Sequence, residues 1–345
     1  MTFVHGPEPQ KNDSQYINLQ PIQLNGEDPL QKTIGRLEFL AGWRMSSENS
    51  SFGGFSAMLT MPNDRFFFLS DMGGLTGFTL NEDTNKAERP FIAPLPDGPK
   101  EKNEFAPKNW DAESLLHDSE TGQFWIGFEH QHSIWRYGRS FARKESAAAI
   151  PAMQDWPTNG GAEALLKLKD DRFLIFSESA PAKDGGYQAL IVEGDPAEAD
   201  ASISAFSHTP PNGYRITDAA ILPDGKALLL HRRFTPFEGV SAILSIADLA
   251  GVSPGQNLQS KPIATLKPPL RVDNMEALAV TQEGKKTIIW MASDDNFNAF
   301  QETLLVKFRL LKGKEKRDKK PMKADESDDG KEKAGQKPGF SSLED

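Results

Sequence analysis

The segment NMEALAVTQEGKKTIIWMASDD (residues 274–295) decides the fold. A first apolar run follows Glu276, the polar residues Gln-Glu-Gly come next, and a second apolar run ends at Asp294 and Asp295. Two short runs rich in Ile, Val, Thr and Trp on either side of a glycine-containing turn are typical of a β-hairpin. The segment therefore predicts a hairpin whose acidic residues lie at its open end.

The same plan recurs along the chain. Four more segments combine a small or acidic residue, an apolar run, a turn built on Asp, Asn or Gly, and a second apolar run: 53–71, 111–129, 161–178 and 217–233. Alignment on the residue before the first apolar run places five residues at one equivalent position: Ser56, Glu113, Glu163, Asp218 and Glu276. The spacings of 57, 50, 55 and 58 residues are a little longer than one four-stranded propeller blade.

The repeat predicts an all-β fold, a β-propeller of five or six four-stranded blades over residues 33–310. A pair of β-sandwiches is the alternative, but sandwich strands do not repeat with an acidic residue in register. We expect residues 36–46 to complete the last blade beside residues 304–310, because a closed ring has no exposed strand edge.

The two ends of the chain lie outside the repeat. Residues 1–32 are predicted to form an irregular N-terminal extension. From residue 311 onward the sequence has ten Lys/Arg and nine Asp/Glu with almost no apolar residues. Such a segment does not bury enough apolar surface to offset the entropy of ordering, so residues 311–345 are predicted to be a disordered charged tail.

The composition excludes several classes of protein. The formal net charge is −10, and without the tail 29 Lys/Arg face 40 Asp/Glu, so the body repels phosphate backbones and we expect no nucleic-acid partner. The absence of cysteine excludes disulfides, thiolate nucleophiles and cysteine-ligated zinc. No run reaches the roughly 18 apolar residues of a membrane helix, and the first residues lack the pattern of an export signal. We expect a monomer without a transmembrane segment.

The repeated acidic position indicates a chemical site. In a propeller the innermost strands line a central channel, so equivalent residues of successive blades converge on the axis. We predict Glu113, Glu163, Asp218 and Glu276 as the catalytic residues. Carboxylates that lie this close repel one another and must share protons or a cation, and hard oxygen ligands favour Ca²⁺ or Mg²⁺ over softer metals. Ca²⁺ is therefore the expected cofactor.

A second group of acidic residues ends the second strand of each hairpin. These strand ends should lie at one mouth of the channel, where we predict the metal ligands Asp71, Glu129, Glu178, Asp294 and Asp295. Asp and Asn after a strand also commonly bind the backbone of their own turn. For Asp295 and Asn296 this capping role is the alternative.

Basic residues near the same strand ends are predicted to bind substrate. The His-Arg-Arg run is the most basic point of the body, and a guanidinium is a bidentate anchor for phosphate or carboxylate. With two further residues it forms the predicted substrate-binding set: His231, Arg232, Arg233, Arg215 and His130. Salt bridges to neighbouring carboxylates are the alternative for the arginines. His130 and His132 would face one side of a strand, or form an exposed loop pair.

Motifs of other enzyme classes are absent: the sequence has no GxSxG, P-loop, GxGxxG after a strand, or HExxH. Two functions remain open. One is hydrolysis of a phosphate monoester or other ester of a small molecule at a Ca²⁺-supported acidic site. The other is a non-catalytic propeller that binds a small ligand or a protein and uses Ca²⁺ structurally.

The five repeated segments resemble the bacterial phytase-like family, described as phytase-family proteins with esterase-like activity. The resemblance extends from about residue 37 to residue 310 and is most specific in DNMEALAVTQEGKKTIIWMASDDNFNAFQETLLVKFRL, residues 273–310. It implies a β-propeller hydrolase in the periplasm or outside the cell. Without an export signal, a cytoplasmic location is the other expectation.

Overall fold

Twenty-two β-strands make up most of the computed structural model, which describes residues 11–98 and 110–313. The described residues contain two 3-10 turns, Arg139–Phe141 and Pro151–Met153, and no α-helix. The strands in chain order are β1 (Asn18–Pro21), β2 (Thr33–Ile34), β3 (Leu37–Ser46), β4 (Phe55–Met61), β5 (Arg65–Ser70), β6 (Gly74–Asn81), β7 (Lys86–Pro94), β8 (Ala112–His117), β9 (Phe124–Phe128), β10 (Ser133–Tyr137), β11 (Lys144–Ala149), β12 (Ala162–Lys167), β13 (Phe173–Pro181), β14 (Tyr187–Glu193), β15 (Ser202–Thr209), β16 (Arg215–Ile221), β17 (Ala227–Thr235), β18 (Gly239–Ala247), β19 (Asn257–Leu266), β20 (Asn274–Glu283), β21 (Lys286–Asp294) and β22 (Leu304–Leu310).

Antiparallel pairing divides most of these strands into groups of four, which we call blades. Blade 1 is β4–β7, blade 2 is β8–β11, blade 3 is β12–β15 and blade 4 is β16–β19. Blade 5 consists of β20, β21, β22 and β3. The first strands of neighbouring blades contact one another around a ring, from β4 through β8, β12, β16 and β20 back to β4. The predicted all-β propeller is therefore confirmed.

The ring is closed by an N-terminal strand, as predicted. β3 pairs antiparallel with β22, from Leu37 opposite Leu310 to Arg44 opposite Leu304. Strand β1 then pairs with the outer side of β3, so the N-terminal extension is not irregular throughout. The reason is burial, because Ile17 and Leu19 pack into the apolar cluster that contains Trp43.

Apolar side chains fill the spaces between neighbouring blades. Between blades 5 and 1 the Trp43 and Trp290 rings stack 6.3 Å apart, and Phe66 meets Trp290 edge-on at 4.8 Å. These three side chains are at most 2% exposed. Each of the other interfaces between blades has its own apolar cluster. Apolar contacts hold the blades together. The polar side chains of the innermost strands are therefore not needed for this packing and can line the channel.

The predicted tail lies almost wholly outside the described residues, which end at residue 313. Among the described residues, no helix has the length and apolar character needed to span a membrane.

Candidate functional site

Each first strand carries a β-bulge near its start. The register against the second strand shifts at equivalent places in all five blades, and the extra residues are Ser56, Glu113, Glu163, Thr217 and Glu276. A bulge inserts one unpaired residue and re-aims its side chain. The repeated position predicted from the sequence is therefore a repeated bulge, with a carboxylate in three of the blades.

The structure corrects the predicted position in blade 4. The bulge residue there is Thr217, and Asp218 follows it. The carboxylate of Asp218 instead accepts hydrogen bonds from the amides of Leu278 at 2.6 Å and Ala219 at 2.7 Å. Asp218 lines a cavity of about 390 Å³ formed by the later residues of the first strands, toward the other end of the channel. Asp218 was aligned with the other acidic residues of the repeat because a bulge is not visible in the pattern of apolar residues.

Thr217 and Ser56 share a structural role in the ring. Thr217 Oγ1 donates to the carbonyl of Met275 at 3.1 Å, and Ser56 Oγ donates to the carbonyl of Ala112 at 2.7 Å. Each acceptor directly precedes the bulge residue of the next blade. These two hydroxyls therefore tie neighbouring bulges together, whereas the other three blades place glutamates at this position.

The ends of the second strands lie beside these bulges. Antiparallel pairing puts Ala112 opposite Phe128 and Asn274 opposite Asp294, so the start of each first strand meets the end of its partner. Charge interactions connect the resulting carboxyl groups around the opening. We call this group the acidic mouth: Asp71, Asp111, Glu113, Glu129, Glu163, Glu178, Glu276 and Asp294.

Arg232 places its guanidinium group within the acidic mouth. Its Nε lies 2.9 Å from Glu276 Oε1, and its Nη2 lies 3.4 Å from Glu178 Oε1. Arg215 Nη1 reaches Glu178 Oε2 at 3.1 Å, and 51% of the Arg215 side chain is exposed. Arg232 therefore neutralises part of the acidic mouth, and Arg215 extends this positive charge toward solvent.

The other side of the mouth is built by blade 2. Glu129 Oε1 accepts a hydrogen bond from the Gly161 amide at 2.6 Å, and His130 Nδ1 contacts Asp111 Oδ2. One donor atom from each of Asp111, Glu129 and His130 lies within 4.8 Å of the others. Asp111 is not among the site residues predicted from the sequence, although it lies two residues before the bulge position, where Asn274 stands in blade 5.

Burial raises the pKa of most carboxyls in the mouth. It raises the pKa of Glu276 to about 8, although Arg232 opposes the rise, and the pKa of Asp294 to about 7. Burial also raises the pKa of Glu129 to about 8. The pKa values of Glu113 and Glu163 lie well above the ordinary range, because of burial and then of neighbouring carboxylates. The metal-free mouth thus holds protons near neutral pH that a bound cation would displace.

Two predicted substrate-binding residues lie away from the mouth. His231 is fully buried and its Nε2 contacts Ser245 Oγ at 2.7 Å; burial lowers its pKa to about 3. Arg233 pairs with Glu238 and lies 4.8 Å from the ring centre of Tyr214. Successive residues of a strand point to opposite faces, so of the His-Arg-Arg run only Arg232 enters the mouth.

The carboxylate of Asp295 accepts hydrogen bonds around its own turn. It accepts the amides of Gly54 at 2.9 Å and Phe297 at 3.1 Å, and the Thr303 hydroxyl at 2.7 Å. This geometry matches the capping role rather than that of a metal ligand. Similarly, Asp294 Oδ1 accepts the amide of Asn296 at 2.7 Å.

The two histidines lie in the turn between β9 and β10, not on a strand. The His130 side chain is 31% exposed, whereas His132 is buried. The two histidines therefore lie in a loop, as the alternative had it, but they do not form an exposed pair, and only His130 reaches the acidic mouth.

The donor atoms of the mouth fit a divalent cation. Carboxylate oxygens are the ligands preferred by Ca²⁺, and Glu163, buried to nine-tenths, has no hydrogen-bond or ion-pair partner within residues 11–98 and 110–313. Arg232 occupies the side of Glu178 and Glu276. The carboxylates of blades 1 to 3 therefore offer the negative charge that a cation needs.

Comparisons with known proteins agree with this architecture. The family described as "Phytase-like: Esterase-like activity of phytase" matches residues 50–297, and the chain belongs to this family. No curated protein matches the chain.

Several solved structures resemble the fold. A putative exported protein from Bacteroides fragilis is 11% identical, with a TM-score of 0.41, and the alignment covers 85% of this chain and 98% of that one. A putative 6-phosphogluconolactonase from Bacteroides uniformis is 10% identical, with a TM-score of 0.38 and coverages of 86% and 85%. The Swd1 β-propeller domain from Myceliophteria thermophila is 12% identical, with a TM-score of 0.36 and coverages of 72% and 67%.

Proposed function

We propose that this protein hydrolyses a phosphate monoester or another ester of a small molecule at the acidic mouth, with a divalent cation. The observation that carries the proposal is the repeated bulge, which directs Glu113, Glu163 and Glu276 into one opening beside Arg232. Raised carboxyl pKa values in a cleft with one specific charge partner are typical of functional sites. The description of the family as esterase-like supports a hydrolase.

Arg232 and Arg215 are suited to binding the anionic part of the substrate. Both already contact Glu178, which fixes their position before substrate arrives. Guanidinium groups bind phosphate or carboxylate through paired hydrogen bonds. Arg215 is half-exposed and meets the substrate first, and Arg232 holds the anion deeper in the mouth.

Glu163 is suited to moving the proton of the reaction. Burial and neighbouring carboxylates raise its pKa well above the ordinary value, so Glu163 holds its proton more tightly than a free glutamate and is suited to act as a general acid. No hydrogen bond within the described residues competes for its oxygens. Burial, and then the charges of Asp111 and Glu129, raise the pKa of the neighbouring Glu113.

Ca²⁺ is the cation proposed first, with Asp71 and Glu129 as the carboxylates placed to hold it, because Arg215 and Arg232 pair with Glu178 and the Asn296 amide binds Asp294. When bound, such an ion neutralises substrate charge and lowers the pKa of bound water. The protein's own contribution is to hold these carboxylates at strand ends, where the closed ring keeps them apart from bulk solvent.

The alternative is a binding propeller without catalysis. The contacts of Arg232 with Glu178 and Glu276 favour it, because a hydrogen-bonded network also stabilises an acidic opening. In that case a cation raises stability but supports no turnover. The family resemblance also supports a periplasmic or secreted location, which fractionation of the native cells tests.

The test is hydrolysis of p-nitrophenyl phosphate, phytate and p-nitrophenyl acetate by the full chain, with Ca²⁺ and with EDTA. Wild type is compared with Glu163→Gln and with Glu193→Gln, an exposed residue at the far end of β14. We expect turnover that EDTA abolishes and that Glu163→Gln lowers by about 100-fold or more, while Glu193→Gln leaves it unchanged. Turnover absent for all three substrates, with Ca²⁺ still raising the melting temperature, would support the binding propeller.

A further inference from the structure

The blade 2 side of the mouth differs chemically from the rest, because it contains an imidazole. Asp111, Glu129 and His130 each place one donor atom within 4.8 Å of the other two. Within residues 11–98 and 110–313 no Lys or Arg forms an ion pair with Asp111 or Glu129. Glu178 and Glu276 contact the guanidinium of Arg232, whereas Asp111 contacts the imidazole of His130.

The backbone holds these three donors in a fixed arrangement. Asp111 directly precedes β8, and Glu129 and His130 directly follow β9. The amide of Glu129 donates to the carbonyl of Asp111 at 2.9 Å, which ties the two strand ends together. The Gly161 amide holds Glu129 Oε1 at 2.6 Å. This is the support from surrounding hydrogen bonds that metal ligands usually have.

A second observation points to a ligand at the same place. Glu163 is 9% exposed, lies on the neighbouring bulge and counts Glu113 and Glu129 among its nearest charges. The side chain of Glu163 therefore lies among other carboxyl groups. Carboxylates this close repel one another unless they share protons or a cation, and a metal ion or its bound water would relieve that repulsion.

We propose that Asp111, Glu129 and His130 bind one divalent transition-metal ion, of the Zn²⁺ or Mn²⁺ type, in preference to Ca²⁺. Imidazole is a common ligand for Zn²⁺ and other transition metals, whereas Ca²⁺ takes oxygen ligands almost alone. Glu163 lies beside this ion as the acceptor for a bound water. The proposal rests on the hydrolase proposed above and assigns it a transition-metal ion in place of the Ca²⁺ proposed first. Because it concerns binding, it is testable without substrate.

The experiment is calorimetric titration of the chelator-treated full chain with Zn²⁺, Mn²⁺ or Ca²⁺ alone. Wild type is expected to bind one Zn²⁺ or Mn²⁺ per chain more tightly than Ca²⁺. His130→Ala should weaken transition-metal binding by about tenfold or more and leave Ca²⁺ binding unchanged. The matched control is His117→Ala, because His117 lines the cavity toward the other end of the channel. It should bind as wild type does.

Two results would overturn the proposal: Ca²⁺ binding as tightly as Zn²⁺ and Mn²⁺, or unchanged transition-metal affinity in His130→Ala. If His130→Ala does not fold, His130→Gln with Co²⁺ absorption replaces it, and a spectrum identical to wild type would likewise refute the site. Metal binding without hydrolysis refutes only the hydrolase. Hydrolysis without transition-metal binding refutes only this site.

Discussion

Glu276 should make the metal-free protein less stable as the pH rises, and Glu276→Gln should remove this effect. Burial raises the pKa of Glu276 to about 8, despite Arg232, from an ordinary value of 4.5. Between these values the folded protein holds a proton that the unfolded chain has lost. Stability therefore falls with rising pH by about 1.4 kcal/mol per pH unit for this group. Glutamine has no proton to lose and keeps the shape of the neutral side chain.

The expected size of the effect follows from the pH interval. Between pH 5.5 and pH 7.5 the difference in unfolding free energy between Glu276→Gln and wild type should increase by about 3 kcal/mol in favour of the variant. Because Glu276 is mostly protonated in this interval, the replacement leaves the charge near Glu178 and Arg232 almost unchanged. The gain should disappear below about pH 4.5, where both states of the wild type are protonated.

Urea unfolding in EDTA at pH 5.5, 6.5 and 7.5 measures this difference, with Glu193→Gln as the exposed control. Glu193→Gln should follow the wild type at every pH. A constant difference between Glu276→Gln and wild type across the interval would show that Glu276 is already ionised when folded. Burial would then not raise the pKa of Glu276 in the folded protein.

Three further changes test other parts of the molecule. Arg232→Met should lower the unfolding free energy at pH 8.5 by about 2 kcal/mol or more, since it leaves buried carboxylates unpaired. Arg233→Met, at the surface, should lower the unfolding free energy by less than about 1 kcal/mol, and urea unfolding measures both. His231→Gln should reduce the loss of stability between pH 6 and pH 4.5 by about 1.4 kcal/mol per pH unit. Burial lowers the pKa of this histidine in the folded protein to about 3, so only the unfolded chain takes up the proton in this interval. Equal acid sensitivity of the variant and the wild type would argue against this. Gly161→Ala places a Cβ 2.7 Å from the Cγ of Glu129, so thermal unfolding should show a loss of about 1–3 kcal/mol together with weaker metal binding, and unaltered binding would contradict the assigned position of Glu129.

The propeller could be predicted from the sequence because its signals are local. An apolar run, a turn residue and a second apolar run specify a hairpin wherever they occur, and five copies imply a ring. The segment 274–295 forms the hairpin β20–β21 as expected, and residues 36–46 contain the strand that closes the ring beside β22. Both features depend on burying apolar side chains between neighbouring strands and blades.

The candidate site was only partly predictable, and blade 4 shows why. Asp218 and Thr217 are adjacent, and the sequence favours the acidic residue, but the bulge places Thr217 in register and turns Asp218 toward the amides of Ala219 and Leu278. A bulge shifts the pairing by one residue and so exchanges the faces of a strand. Its position depends on the partner strand rather than on the local pattern.

The sequence alone determined the class of fold, the acidic character of the opening and three of its bulge carboxylates, because strand and turn preferences are properties of neighbouring residues. Only the tertiary structure decided that Arg232 enters the mouth while His231 is buried. It also decided that Asp111 and His130 join Glu129. Those residues come together through pairing between strand ends and contacts between blades, and contacts of that kind leave no mark in the order of the residues.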